Sequence, residues 1–163
     1  MRPVHLLSVA LLATLLAVGT GAFALRGPDP APPAAASRVH PITVLRAWDQ
    51  RRARAWASGN PEAVSALYVA GSAVGRADRA SLAAYAARGL RVDGLAMQVL
   101  AVDVLAATTD RLVLRVTDRV ATAVAVGRSI RVPLPRDEPS TRTVVLVRPA
   151  ATWLVARVSQ PAR

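Results

Sequence analysis

The stretch Ala55-Trp56-Ala57-Ser58-Gly59-Asn60-Pro61-Glu62-Ala63-Val64-Ser65-Ala66-Leu67-Tyr68 decides how the rest of the chain is read. Gly59 is a helix stop, because glycine takes the left-handed conformation at a C-terminus with little steric cost. Asn60 is a good N-cap, Pro61 suits a first helical position, and Glu62 puts an acid into the first turn. One helix therefore ends and a short one begins within three residues. Upstream, Pro41 opens the first helix. Leu45, Trp48, Ala55 and Trp56 fall on one of its faces at helical spacing, with Arg46, Asp49 and Arg54 largely off that face. Downstream, Val64, Leu67 and Tyr68 form the buried stripe of the second helix. A third helix is predicted with Asp78 as its cap and Gly89 as its stop, turning Leu82, Tyr85 and Ala86 inward.

Beyond Gly89 the apolar period shortens to two. Residues 97–106, 111–126, 141–148 and 152–158 are rich in Val, Leu and Thr and read as four strands. Thr108-Thr109-Asp110 and Pro149-Ala150-Ala151 are short turns, so the first pair and the last pair are expected to be antiparallel hairpins. The stretch 127–140, with Pro133, Pro135 and Pro139, reads as a long loop. Helices followed by an antiparallel meander can bury both apolar surfaces only if the sheet curls over the helices. The expected class is α+β, three N-terminal helices packed in a strongly curved, four-stranded, mainly antiparallel sheet.

Residues 1–25 precede this domain with Met1 and Arg2, then an uncharged run from Leu6 to Leu25. About 20 such residues can span a bilayer as a helix, and a cation before the run favours a cytoplasmic start with the remainder outside. Ala22-Phe23-Ala24 also has the small-x-small form that signal peptidase cuts after. Two readings stand, a signal anchor inserted through residues 4–25 or a signal peptide cleaved near Ala24. Residues 26–38, with four of the twelve prolines, form a Pro/Ala-rich linker to a domain at 39–163. The expected location is the outer side of a cytoplasmic membrane, or the medium if the leader is cut.

All 21 basic residues are arginine, and the Ala/Arg/Val bias is what a GC-rich coding genome produces, which predicts an actinobacterial source. The domain carries a formal charge of +9. Such a charge suits an acidic partner or ligand, or it is solubility and coding bias alone. Nucleic acid is a poor fit for an exported chain with one Phe and no aromatic residues interleaved with basic ones. With no cysteine there is no disulfide, no thiolate metal site and no lipid anchor on a leader cysteine.

With Gly75-Arg76-Ala77-Asp78 and the later strands, the opening stretch resembles the NTF2-like superfamily, also called SnoaL-like or cystatin-like α+β. There a helix ending in Gly-Asp/Asn-Pro is followed by a short helix ending in Leu-Tyr, and a Gly-Arg/Lys element precedes the next helix. The likeness runs over residues 42–158. It implies a cone whose bent sheet wraps the long first helix and leaves a pocket open at one end. Its members include isomerases, dehydratases and polyketide cyclases beside noncatalytic domains that bind ligands or partners, and homodimers through the sheet face are common. An exported form behind one membrane helix also resembles accessory domains of actinobacterial envelope proteins. The catalytic members place His and Asp, or Tyr and Asp, inside the cone. Here the domain's one histidine is His40, at the mouth of the first helix.

Few residues are left that could carry chemistry. Arg52 sits between Trp48 and Trp56 on the first helix. It either meets an anionic ligand in the pocket, reaches water along the tryptophans, or pairs with Asp49. Asp118 continues the alternation of Leu112, Leu114 and Val116, which points a carboxylate into the cone, either as a base or paired with Arg119 or Arg52, unless a bulge turns it outward. Tyr68 and Tyr85 lie on core stripes with hydroxyls at an edge, and Asp103 alternates with Met97, Val99 and Leu105. No phosphate loop, metal-ligand cluster or nucleophile elbow appears, so no cofactor and no metal are expected. The expectation is a noncatalytic, membrane-tethered domain of the cell envelope that binds a partner protein or a small ligand, with Arg52, Trp48, Trp56, Tyr68 and Asp118 around the ligand. The alternative is an isomerase, dehydratase or cyclase using Asp118 with Tyr68 or Tyr85.

Overall fold

The computed structural model of the chain describes residues 40–160. The segment expected at 1–25 to be a signal anchor or signal peptide and the linker expected at 26–38 lie outside the described residues. No helix among the described residues is long and apolar enough to cross a membrane.

The elements are α1 (Pro41–Ser58), α2 (Pro61–Ser65), α3 (Ala73–Ala86), β1 (Arg91–Ala107), β2 (Arg111–Val126), β3 (Arg131–Pro133), β4 (Ser140–Val147) and β5 (Leu154–Ser159). This is an α+β chain with an antiparallel sheet of five strands. α1 stops where expected, at Gly59, whose φ of 67° is left-handed. Asn60 caps α2 by accepting a hydrogen bond from the Glu62 N–H at 3.0 Å.

β1, β2, β4 and β5 lie side by side in that order, and every pairing is antiparallel. The far edge of β2 is shared, residues 111–118 by β4 and residues 124–126 by β3. The predicted loop over 127–140 thus contains a strand. The Gly127 N–H donates to the Ile130 carbonyl at 3.0 Å, which closes a turn tight enough to return the chain along β2. Pro133 ends the strand, since proline has no N–H for a ladder.

Three further boundaries differ from expectation. β1 starts at Arg91 rather than 97 because Gly94, at φ 62°, sits in a bulge that breaks the alternation the eye follows. α3 starts at Ala73, and its cap is Ser72, which accepts from the Gly75 N–H at 3.0 Å, so Asp78 is an interior helical residue and not a cap. Gly75 in that first turn disguised the helix start. A side chain there would bring its Cβ to 2.7 Å of Tyr68 Cβ, so this crossing of chain segments requires glycine. Finally, α2 ends at Ser65, and Leu67 and Tyr68, though buried, belong to a segment laid along β5. The Val155 N–H donates to the Leu67 carbonyl at 3.1 Å and the Val69 N–H to the Val155 carbonyl at 3.0 Å.

The core sits between α1 and the concave face of the sheet. Leu45, Trp48, Ala55 and Trp56 of α1 meet Val92, Leu112, Leu114, Val116, Val144, Leu146 and Val155, all buried. Trp48 is anchored twice. Its Nε1 donates to the Leu67 carbonyl at 3.0 Å and its ring stands edge-on to Tyr68 at 5.4 Å. Register shifts in β1 opposite β2 bend the hairpin around α1, and this curvature opens a cavity beside the helix.

Candidate functional site

The cavity measures about 360 Å³, within the range of small-ligand pockets. α1 contributes Leu45, Trp48, Asp49 and Arg52, α3 contributes Ala77 and Asp78, and the sheet contributes Asp118, Val120, Arg142, Val144 and Val155. Its polar groups fall into two clusters of opposite character.

The first cluster is closed. Arg52 projects one turn beyond Trp48, and its Nε and Nη2 donate to the two carboxylate oxygens of Asp78 at 2.8 and 2.5 Å. The Tyr68 hydroxyl donates to the same carboxylate at 2.8 Å and Trp56 Nε1 at 3.3 Å. Four donors thus converge on a buried carboxylate. Burial alone would raise the Asp78 pKa, but the hydrogen bonds and charge of Arg52, with Tyr68 and Trp56, outweigh it and hold the carboxyl below its ordinary value. Tyr68 is pushed above the usual phenol range by burial and the Asp78 charge. Arg52 loses some basicity to burial but gains more from its hydrogen bond and ion pair with Asp78, so its guanidinium stays charged and held.

The second cluster is open. The alternation of β2 brings Asp118 inward as expected, and the residue is only 2% exposed. Its Oδ2 accepts from Arg142 Nη2 at 2.6 Å, while its Oδ1 is buried with no hydrogen-bond partner among the described residues. Burial raises the Asp118 carboxyl above its ordinary value even though Arg142 and Arg52 pull it down. Asp49, next to Trp48 on α1, lines the same cavity and makes no ion pair among the described residues. Burial, then repulsion from Asp118, pushes its carboxyl up to about 6 against the attraction of Arg52 and Arg142.

The predicted residues therefore separate. Trp48, Arg52, Tyr68 and Asp118 line this cavity. Trp56 and Tyr85 line a neighbouring cleft of about 350 Å³ that shares Arg52 with it. The expected partner of Arg52 was Asp49, and it is Asp78. The expected partner of Asp118 was Arg119 or Arg52, and it is Arg142, while Arg119 Nε donates to Gln98 at 2.8 Å. Neither tyrosine hydroxyl hydrogen-bonds to Asp118. Asp103, with its side chain 65% exposed, is out of the cavity and 3.8 Å from Arg115. His40 is exposed and makes no side-chain cap.

Sequence reasoning missed Asp49 and Arg142 as site residues. Arg142 was legible, since Arg142, Val144 and Leu146 alternate on one face of β4 and Arg142 stands opposite Val116. Asp49 was not, because a position one step around the helix from Trp48 reads as surface until a concave sheet reaches over it.

No family model matches the chain, and no curated protein is similar to it in sequence. Among solved structures, it is similar to the intermembrane-space region of the chloroplast protein ARC6, at 16% identity and a TM-score of 0.51, over 76% of this chain and 95% of that one. It also matches a domain of unknown function with a cystatin-like fold from Nostoc punctiforme, at 11% identity and a TM-score of 0.43, over 75% of this chain and 78% of that one. The first likeness is one of fold alone.

Proposed function

We propose that this chain is an NTF2-like binding domain, carried outside the cytoplasmic membrane by its N-terminal segment, whose cone cavity takes a small ligand without transforming it. One observation carries the reading, a cavity of about 360 Å³ beside α1, lined by Trp48, Asp49, Arg52, Tyr68, Asp118 and Arg142. The closed Arg52–Asp78 pair supplies the rigid wall. It also withdraws Arg52 from the role of anion receptor, so an anionic ligand is no longer favoured.

One observation favours a second reading, acid–base catalysis. A carboxyl at about 6, as at Asp49, exchanges protons close to neutrality. Against it, the Tyr68 hydroxyl is committed to Asp78 and is not free to stabilise a developing oxyanion.

The test is a fragment screen on the full chain by amide and tryptophan indole NMR. Val120→Trp serves as the blocked control, since Val120 lines the cavity. Fragments that shift the Trp48 indole and lose their effect in Val120→Trp support the reading. Fragments that bind equally well to both proteins contradict it.

A further inference from the structure

We propose that the domain docks on a lipid surface through one end, the distal half of β1 and the turns beside it, with Leu100, Val104 and Leu105 entering at headgroup level. This rests on the reading that the N-terminal segment holds the chain in a membrane, and it adds the face that the domain turns to the bilayer. β1 is an edge strand of the sheet. Of its residues 100–107 all but Val102 are exposed, and Asp103 carries the single charge. Five large apolar side chains are exposed among the described residues, these three on β1 and Ile130 and Val132 at β3.

The two apolar spots lie toward opposite ends. β3 pairs with residues 124–126 of β2, which face Arg91, Val92 and Asp93 of β1. α1 finishes there, since a Cβ on Gly59 would stand 3.6 Å from Arg91 Cβ. α1 begins at the other end, where β1 finishes. There the Arg148 N–H donates to the Asp110 carbonyl at 2.8 Å and Arg148 Nη2 to the Thr109 carbonyl at 2.7 Å, which joins the β1–β2 turn to the β4–β5 turn. The β4–β5 turn in turn shares a cleft, through Thr152 and Trp153, with Thr43 and Val44 of α1.

The chain therefore enters at Pro41 on the side of Val104 and Leu105, and that entry selects the occupant. A Pro-rich linker extends about 3.1 Å per residue, so residues 26–38 reach about 40 Å. α1 is about 27 Å long. Offering Ile130 and Val132 to the lipid would use most of the linker's reach, whereas Val104 and Leu105 need little of it. The groups around the entry end also suit an interface. Arg111 is exposed, and Arg148 lies over the Trp153 ring at 5.3 Å, and both side-chain types settle at headgroup level. The far end is basic too, with Arg88, Arg128 and Arg131 exposed, so charge does not choose between the ends.

A second copy fits this edge less well than lipid does. Register shifts between Val99 and Ala101 and between Val104 and Ala106 interrupt β1, and such bulges blunt an edge against strand addition. A lipid interface needs no register. The free backbone groups of the edge limit the depth, because they stay hydrated only outside the hydrocarbon.

The chain has no cysteine, so single labels are clean. An environment-sensitive fluorophore is placed in the full chain at Leu105→Cys, at Ile130→Cys or, to report the membrane segment, at Ala17→Cys. Each protein is reconstituted in phosphatidylcholine–phosphatidylglycerol vesicles with and without a lipid spin-labelled near its headgroup. The expected result is blue-shifted emission at Leu105→Cys, quenched by the spin label at least twofold more than at Ile130→Cys, and lost when Leu100→Asp and Val104→Asp are added. Quenching at Leu105→Cys without quenching at Ala17→Cys supports the docking and overturns the membrane-segment reading instead. Equal quenching at both ends, no quenching at Leu105→Cys while Ala17→Cys is quenched, or quenching that survives the two Asp substitutions overturns the docking and leaves the tether standing. A blue shift at Leu105→Cys that the spin label does not quench and that dilution reverses gives the edge to a second copy and also overturns it. No quenching at any position overturns both readings.

Discussion

Asp78 and Asp118 are both buried inside one cavity wall and both touch an arginine, yet the fold treats them in opposite ways. Asp78 sits on α3, where Arg52, Tyr68 and Trp56 all reach it, so its charge is answered and its carboxyl is held low. Asp118 sits on a bent strand where only Arg142 reaches it, one oxygen is left over, and Asp49 across the cavity adds a second carboxylate. Burial by itself therefore does not mark a functional carboxylate. What distinguishes the two is the number of donors the surrounding elements deliver. By that measure the Asp78 cluster is the internally satisfied one, and the Asp49–Asp118 side of the cavity is the less satisfied one.

The largest effect that could break this contrast lies on the structural side. Asp78→Ala would leave the Arg52 guanidinium, 22% exposed, without its partner, and a stability loss of about 3 to 5 kcal/mol is expected in urea unfolding. A loss below about 1 kcal/mol would show that the cluster is not a structural wall. Trp48→Ala, removing a buried ring that holds the Leu67 carbonyl, is expected to cost a similar roughly 3 to 5 kcal/mol.

On the open side the sign reverses. Asp49 is raised from 3.8 to about 6, so between these values the folded state binds more protons than the unfolded state. Its stabilising contribution is complete below pH 3.8 and is lost as pH rises through 6. Asp49→Asn is therefore expected to stabilise the domain at pH 7. Each pKa unit is worth about 1.4 kcal/mol, and allowing for the partial exposure of Asp49 leaves a gain of about 1 to 2 kcal/mol. Asp78 runs the other way. Its lowered pKa contributes stability above 3.8 that is lost as pH falls through its folded value. The smallest effect is at Asp118→Asn, where the raised carboxyl gains little from ionising and the Arg142 side chain, 33% exposed, can turn to water. A change within about 1 kcal/mol is expected at pH 7.

Much of this architecture was legible from local chemistry. Gly59, Asn60 and Pro61 define one helix end and the next start without reference to anything distant, and the alternation of Leu112, Leu114, Val116 and Asp118 points the carboxylate inward. What was hidden lies where two segments impose a residue on each other. Gly75 is set by the close approach of Tyr68, Gly94 by a bulge, and the short β3 by the turn at Gly127, and each of these reads in sequence as a break. The expected partners were Asp49 for Arg52, one turn away, and Arg119 or Arg52 for Asp118. The fold instead supplies them from 26 and 24 residues away. Which of the many arginines reaches a given carboxylate is decided by how the sheet packs on the helices, and sequence spacing does not carry that.

The central claim is that the cavity holds one satisfied carboxylate and one unsatisfied pair, and the most direct test is a carbon-detected NMR titration of the side-chain carboxyls of the full chain from pH 2 to pH 8. The expected result is a midpoint near 6 for Asp49 and one below 3.8 for Asp78. An Asp49 midpoint at or below 3.8 would show that its charge is already answered within the fold, and would contradict the account.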